Sequence, residues 1–112
     1  MTISETDQVD FATLEPDTNK FVLSISDHLE WTDEPHEHLL LLQEKLNTYL
    51  RFAESGEIYR ELPSAIGRKI VFRVVGKYPL SIAAKQFFDR AREIVGAAGF
   101  ELSFYHLEVE RP

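Results

Sequence analysis

The stretch SDHLEWTDEPHEHLLLLQEKLNTYLRFAESGEIY, Ser26–Tyr59, decides how this chain folds, because it joins an acidic, histidine-bearing loop to an unusually apolar helix. Within it, Leu39, Leu42 and Leu46 recur at steps of three and four residues, the spacing that puts apolar side chains on one face of a helix. Gly56 follows the last turn and is the kind of residue that ends a helix in a left-handed conformation. The stretch therefore predicts an amphipathic helix that packs its leucine face on a sheet.

The polar residues before Pro35 predict where this helix begins. Each residue of Thr32–Glu34 has a side-chain oxygen that can cap exposed amides in some register, and Pro35 suits a first helical turn. Asp33, Glu34 and Glu37 also complement the positive end of the helix dipole. We therefore expect the helix to start within Thr32–Glu34.

Segments on both sides of this stretch have the composition of strands. Val9–Leu14 and Phe21–Ser26 are joined by turn residues, which predicts a β-hairpin. Lys69–Val75 is rich in β-branched and aromatic residues and predicts a third strand. Phe100–Val109 predicts a final strand, whose apolar parity changes near its end and so indicates either a bulge or a change in which face is covered.

A second helix is predicted between the last two strands. Ser81 is its expected N-cap, Gly99 followed by Phe100 fits a Schellman ending, and either Ile94 or Val95 belongs to its buried face. The element order is then β-β-α-β-α-β. Because each strand–helix–strand unit crosses over right-handedly, we predict an α/β (α+β) two-layer sandwich, a four-stranded mixed sheet with two helices on one face.

The composition is that of one ordinary globular domain. The apolar fraction is 44% and the charged fraction 28%, both near globular averages. We expect a single domain over residues 1–112, with residues 1–8 disordered. No cysteine is present, which excludes disulfides, thiolate metal sites and cysteine nucleophiles. The first residues carry acids instead of the basic patch and apolar run of a secretory signal, and no apolar stretch is long enough to span a bilayer, so the expected location is the cytoplasm.

Charge is distributed unevenly along the chain. Residues 1–50 hold 11 acids against two lysines, a net charge of −9, whereas residues 51–112 hold 10 bases and 8 acids, a net charge of +2. An acidic surface repels phosphate backbones and anionic lipid, so we predict neither nucleic-acid nor membrane binding. A basic or neutral protein partner is easier to accommodate. The alternative is that the acids only keep a small domain soluble.

The sheet face opposite the helices predicts self-association. It would carry Val22, Val71, Val75 and Tyr105, which either meet water or pair with a second copy. We predict a homodimer through this face.

A second interaction surface is predicted at the start of the first helix. Leu40 and Leu41 lie outside its leucine face and Trp31 precedes it, so these side chains form one apolar patch if they are exposed. Two alternatives stay open: later residues fold over the leucines, and Trp31 plugs the gap between sheet and helix. The rim of the patch would be Glu30, Asp33, Glu34 and Glu37, and the covering residues would be Ile58, Tyr59 and Leu62.

Histidines in the same region raise the question of a metal site. His28, His36 and His38 offer imidazole ligands beside several carboxylates. However, His36 and His38 are two residues apart, so on a helix their side chains diverge by about 200°. We therefore predict no metal and no cofactor, and favour a solvated, dipole-matched helix start.

No catalytic residue can be assigned from the sequence. Ser26, Asp27 and His28 have the residue types of a hydrolytic triad, but consecutive side chains diverge instead of converging. The glycines are scattered and do not form a phosphate-binding loop. Carboxylate pairs that form only in three dimensions leave acid–base chemistry open, so the enzyme question stays open and the balance favours a protein without catalytic activity.

Several runs of this sequence together resemble a known family. These runs are, in chain order, Ile3–Asp10, Ser26–Trp31, His38–Tyr49, Glu54–Tyr59 and Gly67–Ile70. Through them the chain resembles, over nearly its whole length, a family of small bacterial proteins known only as a domain of unknown function. The resemblance implies a bacterial cytoplasmic protein and carries no assigned activity, cofactor or catalytic residue.

Three classes of function follow from these observations. The leading hypothesis is a non-enzymatic protein-interaction module that acts through the sheet face or through the region of Trp31, Leu40 and Leu41. The alternative is a small-ligand or metal-binding regulator. An enzyme of unassigned class is the third.

Overall fold

The structure is a computed structural model that describes residues 11–107. Within that range the predicted order β-β-α-β-α-β is confirmed, and a short helix and a 3-10 turn are added before the third strand. The parts of the predicted first and last strands at residues 9–10 and 108–109 lie outside the described residues. The elements are β1 (Phe11–Glu15), β2 (Lys20–Asp27), α1 (His36–Glu54), α2 (Glu57–Glu61), the 3-10 turn (Pro63–Ala65), β3 (Lys69–Gly76), α3 (Ile82–Ala97) and β4 (Glu101–His106).

The four strands of the described chain form one mixed sheet in the order β1-β2-β3-β4. β1 pairs with β2 in an antiparallel hairpin, whereas β2, β3 and β4 run parallel. The crossovers through α1 and α3 turn the same way, so both helices cover the same face of the sheet. The predicted two-layer sandwich with a mixed sheet is therefore confirmed.

The core lies between this sheet and the helices. Leu23 and Phe72 on the strands, Leu42 on α1 and Phe88 on α3 are completely buried. Burying each such side chain contributes about 1.5–3 kcal/mol. Tyr49 is also completely buried, and its hydroxyl donates a hydrogen bond of 2.9 Å to the carbonyl of Ser24, which satisfies its polar end.

The opposite sheet face differs from the prediction at two valines. Val22 and Val71 were expected to meet water, but only 2% and 0% of their surfaces are exposed. That premise of the predicted dimer is therefore wrong for these two residues. Val75 is half-buried, and Tyr105 is the exposed member of the predicted set, at 55%.

Two ion pairs that cross strands lie at the level of these valines in the sheet register. Arg73 on β3 reaches Glu15 on β1 at 2.8 Å, and the strand order takes its side chain across β2 at the level of Val22. Lys20 on β2 reaches Glu101 on β4 at 3.2 Å, and so crosses β3 beside Val71. The aliphatic stems of these long side chains can cover apolar surface while their charges stay paired.

The start of α1 also differs from the prediction. The helix begins at His36 after Pro35, and no side chain of residues 11–107 caps it. Thr32 instead accepts a hydrogen bond from the Glu34 amide at 3.3 Å, so its hydroxyl closes a turn within the loop. The predicted helix start within Thr32–Glu34 is therefore wrong, because Thr32 closes a turn of the loop and the helix begins only at His36.

The other predicted helix ends are confirmed. Gly56 follows α1 with φ 82°, in the left-handed region. The Ser81 hydroxyl accepts a hydrogen bond of 3.1 Å from the amide of Ala84, as an N-cap does. The Phe100 amide donates to the carbonyl of Val95 at 3.1 Å, which completes the Schellman ending.

The change of apolar parity in the last strand has two possible causes, a bulge or a change in the covered face, and the described part of the strand, Glu101–His106, shows no bulge. The pairing of β3 with β4 runs without interruption from Val71 and Glu101 to Gly76 and His106. The apolar parity changes because the strand ends at His106, and Leu107 beyond it is 47% exposed.

Candidate functional site

A buried acid–imidazole pair joins the end of β2 to the start of α1. Asp27 is the last residue of β2 and lies on the same side of the strand as Ile25, toward the helices. His38 lies in the first turn of α1, and its Nε2 is 2.6 Å from Oδ2 of Asp27, with the imidazole N–H donating to the carboxylate. Asp27 is 3% exposed and His38 8%. The pair thus ties the two ends of an eight-residue loop, residues 28–35, together below the surface.

Trp31 lies over this pair. Its ring stacks on the imidazole of His38 with centroids 3.6 Å apart and an interplanar angle of 14°. The side chain is half-buried and packs against the hydrophobic core. The indole therefore covers one face of the imidazole instead of projecting as a free anchor.

Asp27 and His38 are the residue types of a catalytic dyad, but the imidazole is not accessible to a substrate. Oδ1 of Asp27 accepts a hydrogen bond of 3.1 Å from the Leu29 amide, so both carboxylate oxygens have partners. His38 Nδ1 has no hydrogen-bond partner among the described residues, yet it is buried. A catalytic imidazole in an Asp–His pair must present its second nitrogen to a substrate. Burial under Trp31 favours a structural role, in which the pair fixes the helix start that lacks a side-chain cap.

The three candidate metal-ligating histidines are separated. His28 and His36 are exposed, whereas His38 points inward to Asp27. Among residues 11–107, no three His, Asp or Glu side chains come together as a metal-binding group. The absence of a tightly bound metal stays a prediction, which retention of zinc by purified protein after dialysis would contradict.

The residues of the predicted interaction patch have different environments. Leu40 is 44% exposed, whereas Leu41 is half-buried and packs against the core. The Trp31 ring stacks on the imidazole of His38. The predicted rim residues Glu30, Asp33, Glu34 and Glu37 are all exposed.

A groove between α1 and α3 extends the apolar surface beyond Leu40. We call it the helix-layer groove, a concavity of about 260 Å³ lined by Gln43, Leu46, Asn47 and Leu50 from α1 and by Phe87, Arg90, Ala91, Ile94 and Val95 from α3. Val95 is 1% exposed and Ile94 63%, so Val95 belongs to the core and Ile94 to the wall of the groove. Leu40 lies three residues before Gln43 on α1 and is not among the residues that line the groove.

Sequence reasoning missed both the buried pair and this groove. For the pair a signal exists: His38, Leu42 and Leu46 are spaced by four residues, so His38 belongs to the buried stripe and needs a polar partner. Lys45, which is also completely buried on α1, fits the same argument. The groove has no comparable signal, because it depends on how two helices that are distant in sequence lie side by side.

Fold and site together define a small two-layer α/β domain. It has a buried acid–imidazole pair at the end of one strand and an apolar groove between its two long helices. The chain belongs to a family of unknown function, DUF6572, whose profile matches residues 1–108. A search of curated proteins and a search of solved structures each found no significant match. No helix within residues 11–107 has the length and apolar character needed to cross a bilayer.

Proposed function

We propose that this protein is a non-enzymatic protein-interaction module that binds a basic amphipathic helix of a partner on its helix layer. The observation that carries the proposal is the helix-layer groove, because exposed Ile94 lines it and exposed Leu40 lies three residues before its lining residue Gln43. Amphipathic helices bind such grooves through apolar anchors spaced by three, four and seven residues. The rise from Leu40 to Leu50 is about 15 Å, which matches roughly three turns of a bound helix.

The charges around the groove favour a basic partner. Apart from Lys85, Asp89 and Arg92, the exposed charged residues of the two helices are Glu37, Glu44, Glu54, Glu93, Arg51 and Arg90, which gives four acids, two bases and a net charge of −2, with Arg90 itself in the groove lining. The exposed acids of the preceding loop, Glu30, Asp33 and Glu34, add to this negative field at the start of α1. Complementary charge increases association rates and excludes partners of like charge.

The remaining charged residues of α3 do not reverse this balance. Asp89 is paired with Arg92 at 3.2 Å, so these two charges compensate each other. Lys85 is nine residues before Ile94, which places it about 180° round the helix from the groove wall. A second copy of the chain would bring an equally acidic surface against this one, so the charge argues for a different molecule as the partner.

The acid–imidazole pair supports the non-enzymatic part of the proposal. Asp27 and His38 are each more than nine-tenths buried, and Trp31 stacks on the imidazole. A small-ligand or metal-binding regulator is the alternative function, and an enzyme is the third. A cytoplasmic location and a bacterial source belong to the same proposal; the location is supported by a chain without cysteine, and the source by the resemblance described above.

The proposal is tested with designed peptides and heteronuclear NMR. The probe is a three-turn amphipathic helix of leucine and lysine, compared with a leucine–glutamate helix of the same pattern. We expect the lysine peptide to shift the amide signals of groove residues and the glutamate peptide to bind at least about tenfold more weakly. Equal affinity for both peptides, or shifts confined to the sheet face opposite the helices, would contradict the proposal.

Matched variants distinguish binding in the groove from nonspecific binding to exposed apolar side chains. The double variant Leu40→Ser, Ile94→Ser keeps the charge and is expected to weaken binding of the lysine peptide about tenfold or more. Ile66→Ser is the control, because Ile66 is 62% exposed but lies beyond α2 and outside the groove. If Ile66→Ser lost as much affinity for the lysine peptide as the double variant, the peptide would not be binding in the groove.

Leu41→Asp and Leu40→Asp test where the apolar surface ends. Leu41 packs against the core, so the aspartate there would lack a partner and destabilise the fold by about 2 kcal/mol or more. Leu40→Asp is expected to change the free energy of unfolding by about 0.5 kcal/mol or less. Comparable destabilisation by the two substitutions in urea would remove Leu40 from the proposed surface.

A further inference from the structure

The three parallel strands end along one edge of the sheet. Asp27, Gly76 and His106 are register partners on β2, β3 and β4. Two backbone hydrogen bonds of 2.9 Å extend the pairing by one step, from the Lys77 amide to the Asp27 carbonyl and from the Leu107 amide to the Gly76 carbonyl. Open α/β sheets place their ligand sites at this carboxyl edge.

A cavity of about 220 Å³ opens at this edge, and we call it the carboxyl-edge slot. Val75, Gly76 and Leu107 give it an apolar wall, and the side chains of His28 and Lys77 are exposed at its border. Pockets for drug-sized molecules occupy about 300–1,000 Å³, so this slot fits a smaller molecule. It lies at the strand ends and is separate from the helix-layer groove.

The charges at the slot favour an anion. Asp27 is its one carboxylate among the described residues, and both oxygens are occupied, one by the Leu29 amide and the other by His38. Lys77 forms no ion pair within residues 11–107; its ammonium lies 5.7 Å from the centroid of the Tyr78 ring. A ligand entering the slot therefore meets a cation and the His28 imidazole rather than an open carboxylate.

We propose that the carboxyl-edge slot binds a small monocarboxylate with a short apolar tail. The carboxylate pairs with the Lys77 ammonium and accepts a hydrogen bond from His28, and the tail lies on Val75 and Leu107. An oxyanion such as phosphate fits less well, because it needs several donors around it and the wall of the slot is apolar. The proposal does not depend on the proposed function, since the two surfaces share no residue.

The test is an NMR titration of the full chain with acetate, propionate and butyrate, with butyramide as the neutral control. We expect dissociation constants on the order of 1–10 mM for butyrate, with amide shifts at Gly76, Lys77 and Leu107. Each added methylene that the slot buries is expected to tighten binding about threefold to fourfold. Three results would overturn the proposal: equal affinities for acetate, propionate and butyrate, binding of butyramide as tight as that of butyrate, or binding of inorganic phosphate tighter than that of butyrate.

Two variants test the two halves of the ligand. Lys77→Gln is expected to weaken butyrate binding about threefold to fivefold, whereas Lys85→Gln, at an exposed lysine on α3, leaves it unchanged. Val75→Thr keeps the side-chain shape but adds a hydroxyl, so it should weaken butyrate more than acetate. Equal effects of Lys77→Gln and Lys85→Gln would show a general response to net charge and would refute the site.

Discussion

Asp27 illustrates how one buried side chain serves two neighbours. Its carboxylate accepts from the Leu29 amide at 3.1 Å and from the His38 imidazole at 2.6 Å, and only 3% of the residue is exposed. A buried donor that loses its partner costs far more than the net gain of an ordinary hydrogen bond. The free-energy cost of losing one partner therefore comes mainly from the buried group that is left unpaired, and less from the hydrogen bond itself.

Asp27→Ala is accordingly expected to destabilise the protein by about 1–3 kcal/mol, because it leaves the buried imidazole of His38 without its partner. Urea unfolding measures the change. The control is His28→Ala at the next residue, which is exposed and should change the free energy of unfolding by about 0.5 kcal/mol or less. Similar values for the two variants would show that the pair does not hold the loop.

Glu15 gives a pH dependence at the residue scale. The hydrogen bond from Arg73 holds the pKa of the Glu15 carboxyl below its ordinary value of 4.5. A lowered pKa in the folded state adds stability above pH 4.5, and this contribution is lost as the pH falls through the folded-state pKa. Glu15→Gln should therefore destabilise the protein at neutral pH and lose this effect in acid.

Urea midpoints measured from pH 7 down to pH 3 test this prediction about Glu15. Glu61→Gln is the control, since Glu61 is an exposed glutamate on α2. A Glu15→Gln difference that stays constant across the range, or one that grows in acid, would rule out the ionised pair with Arg73 as its source.

At the scale of elements, two glycines differ in what surrounds them. A Cβ on Gly76 at the end of β3 would lie 2.7 Å from the ring of Phe104, whereas one on Gly96 in α3 would have nothing within 4 Å. Gly76→Ala is expected to cost about 1–3 kcal/mol, because the Phe104 ring must shift and the Tyr78 carbonyl oxygen would lie 3.2 Å from the new Cβ. Gly96→Ala is expected to stabilise α3 by about 0.5–1 kcal/mol. Thermal unfolding compares them, and a stabilising Gly76→Ala would mean that Phe104 rotates away at little cost.

The elements themselves could be predicted from the sequence because their signals are local. Ser81 caps α3 and Gly56 ends α1 as the residue types indicate. The start of α1 could not be predicted, since Thr32 has the same capping chemistry whether it serves a helix or a loop turn. The spacing on α1 places His38 on the buried face but does not identify its partner, so the contact of His38 with Asp27 and the groove wall at Ile94 could be identified only from the structure.

At the scale of the whole molecule, the predicted homodimer through the open sheet face stays a prediction. Its apolar basis is now Tyr105 and half-buried Val75, because the other two valines are covered within one chain. We therefore expect a weak dimer, visible by light scattering near 0.1 mM and lost on dilution. Tyr105→Lys should give a monomer, whereas Ile66→Lys should not. A wild-type monomer at that concentration would contradict the prediction.

The strand order has a consequence for how the chain reaches this structure. Every strand lies beside the strand that precedes it in sequence, so the sheet can grow by adding one strand at a time. The β1–β2 hairpin closes a short turn, and β4 joins β3 across α3 alone, whereas the pairing of β2 with β3 must close a segment that holds α1, α2 and the 3-10 turn. Loop closure becomes less favourable as the loop lengthens, and non-local pairing slows folding. Docking of an early hairpin onto an early β3–α3–β4 unit is thus the expected rate-limiting step, and α1 is the element whose substitutions should change the folding rate most.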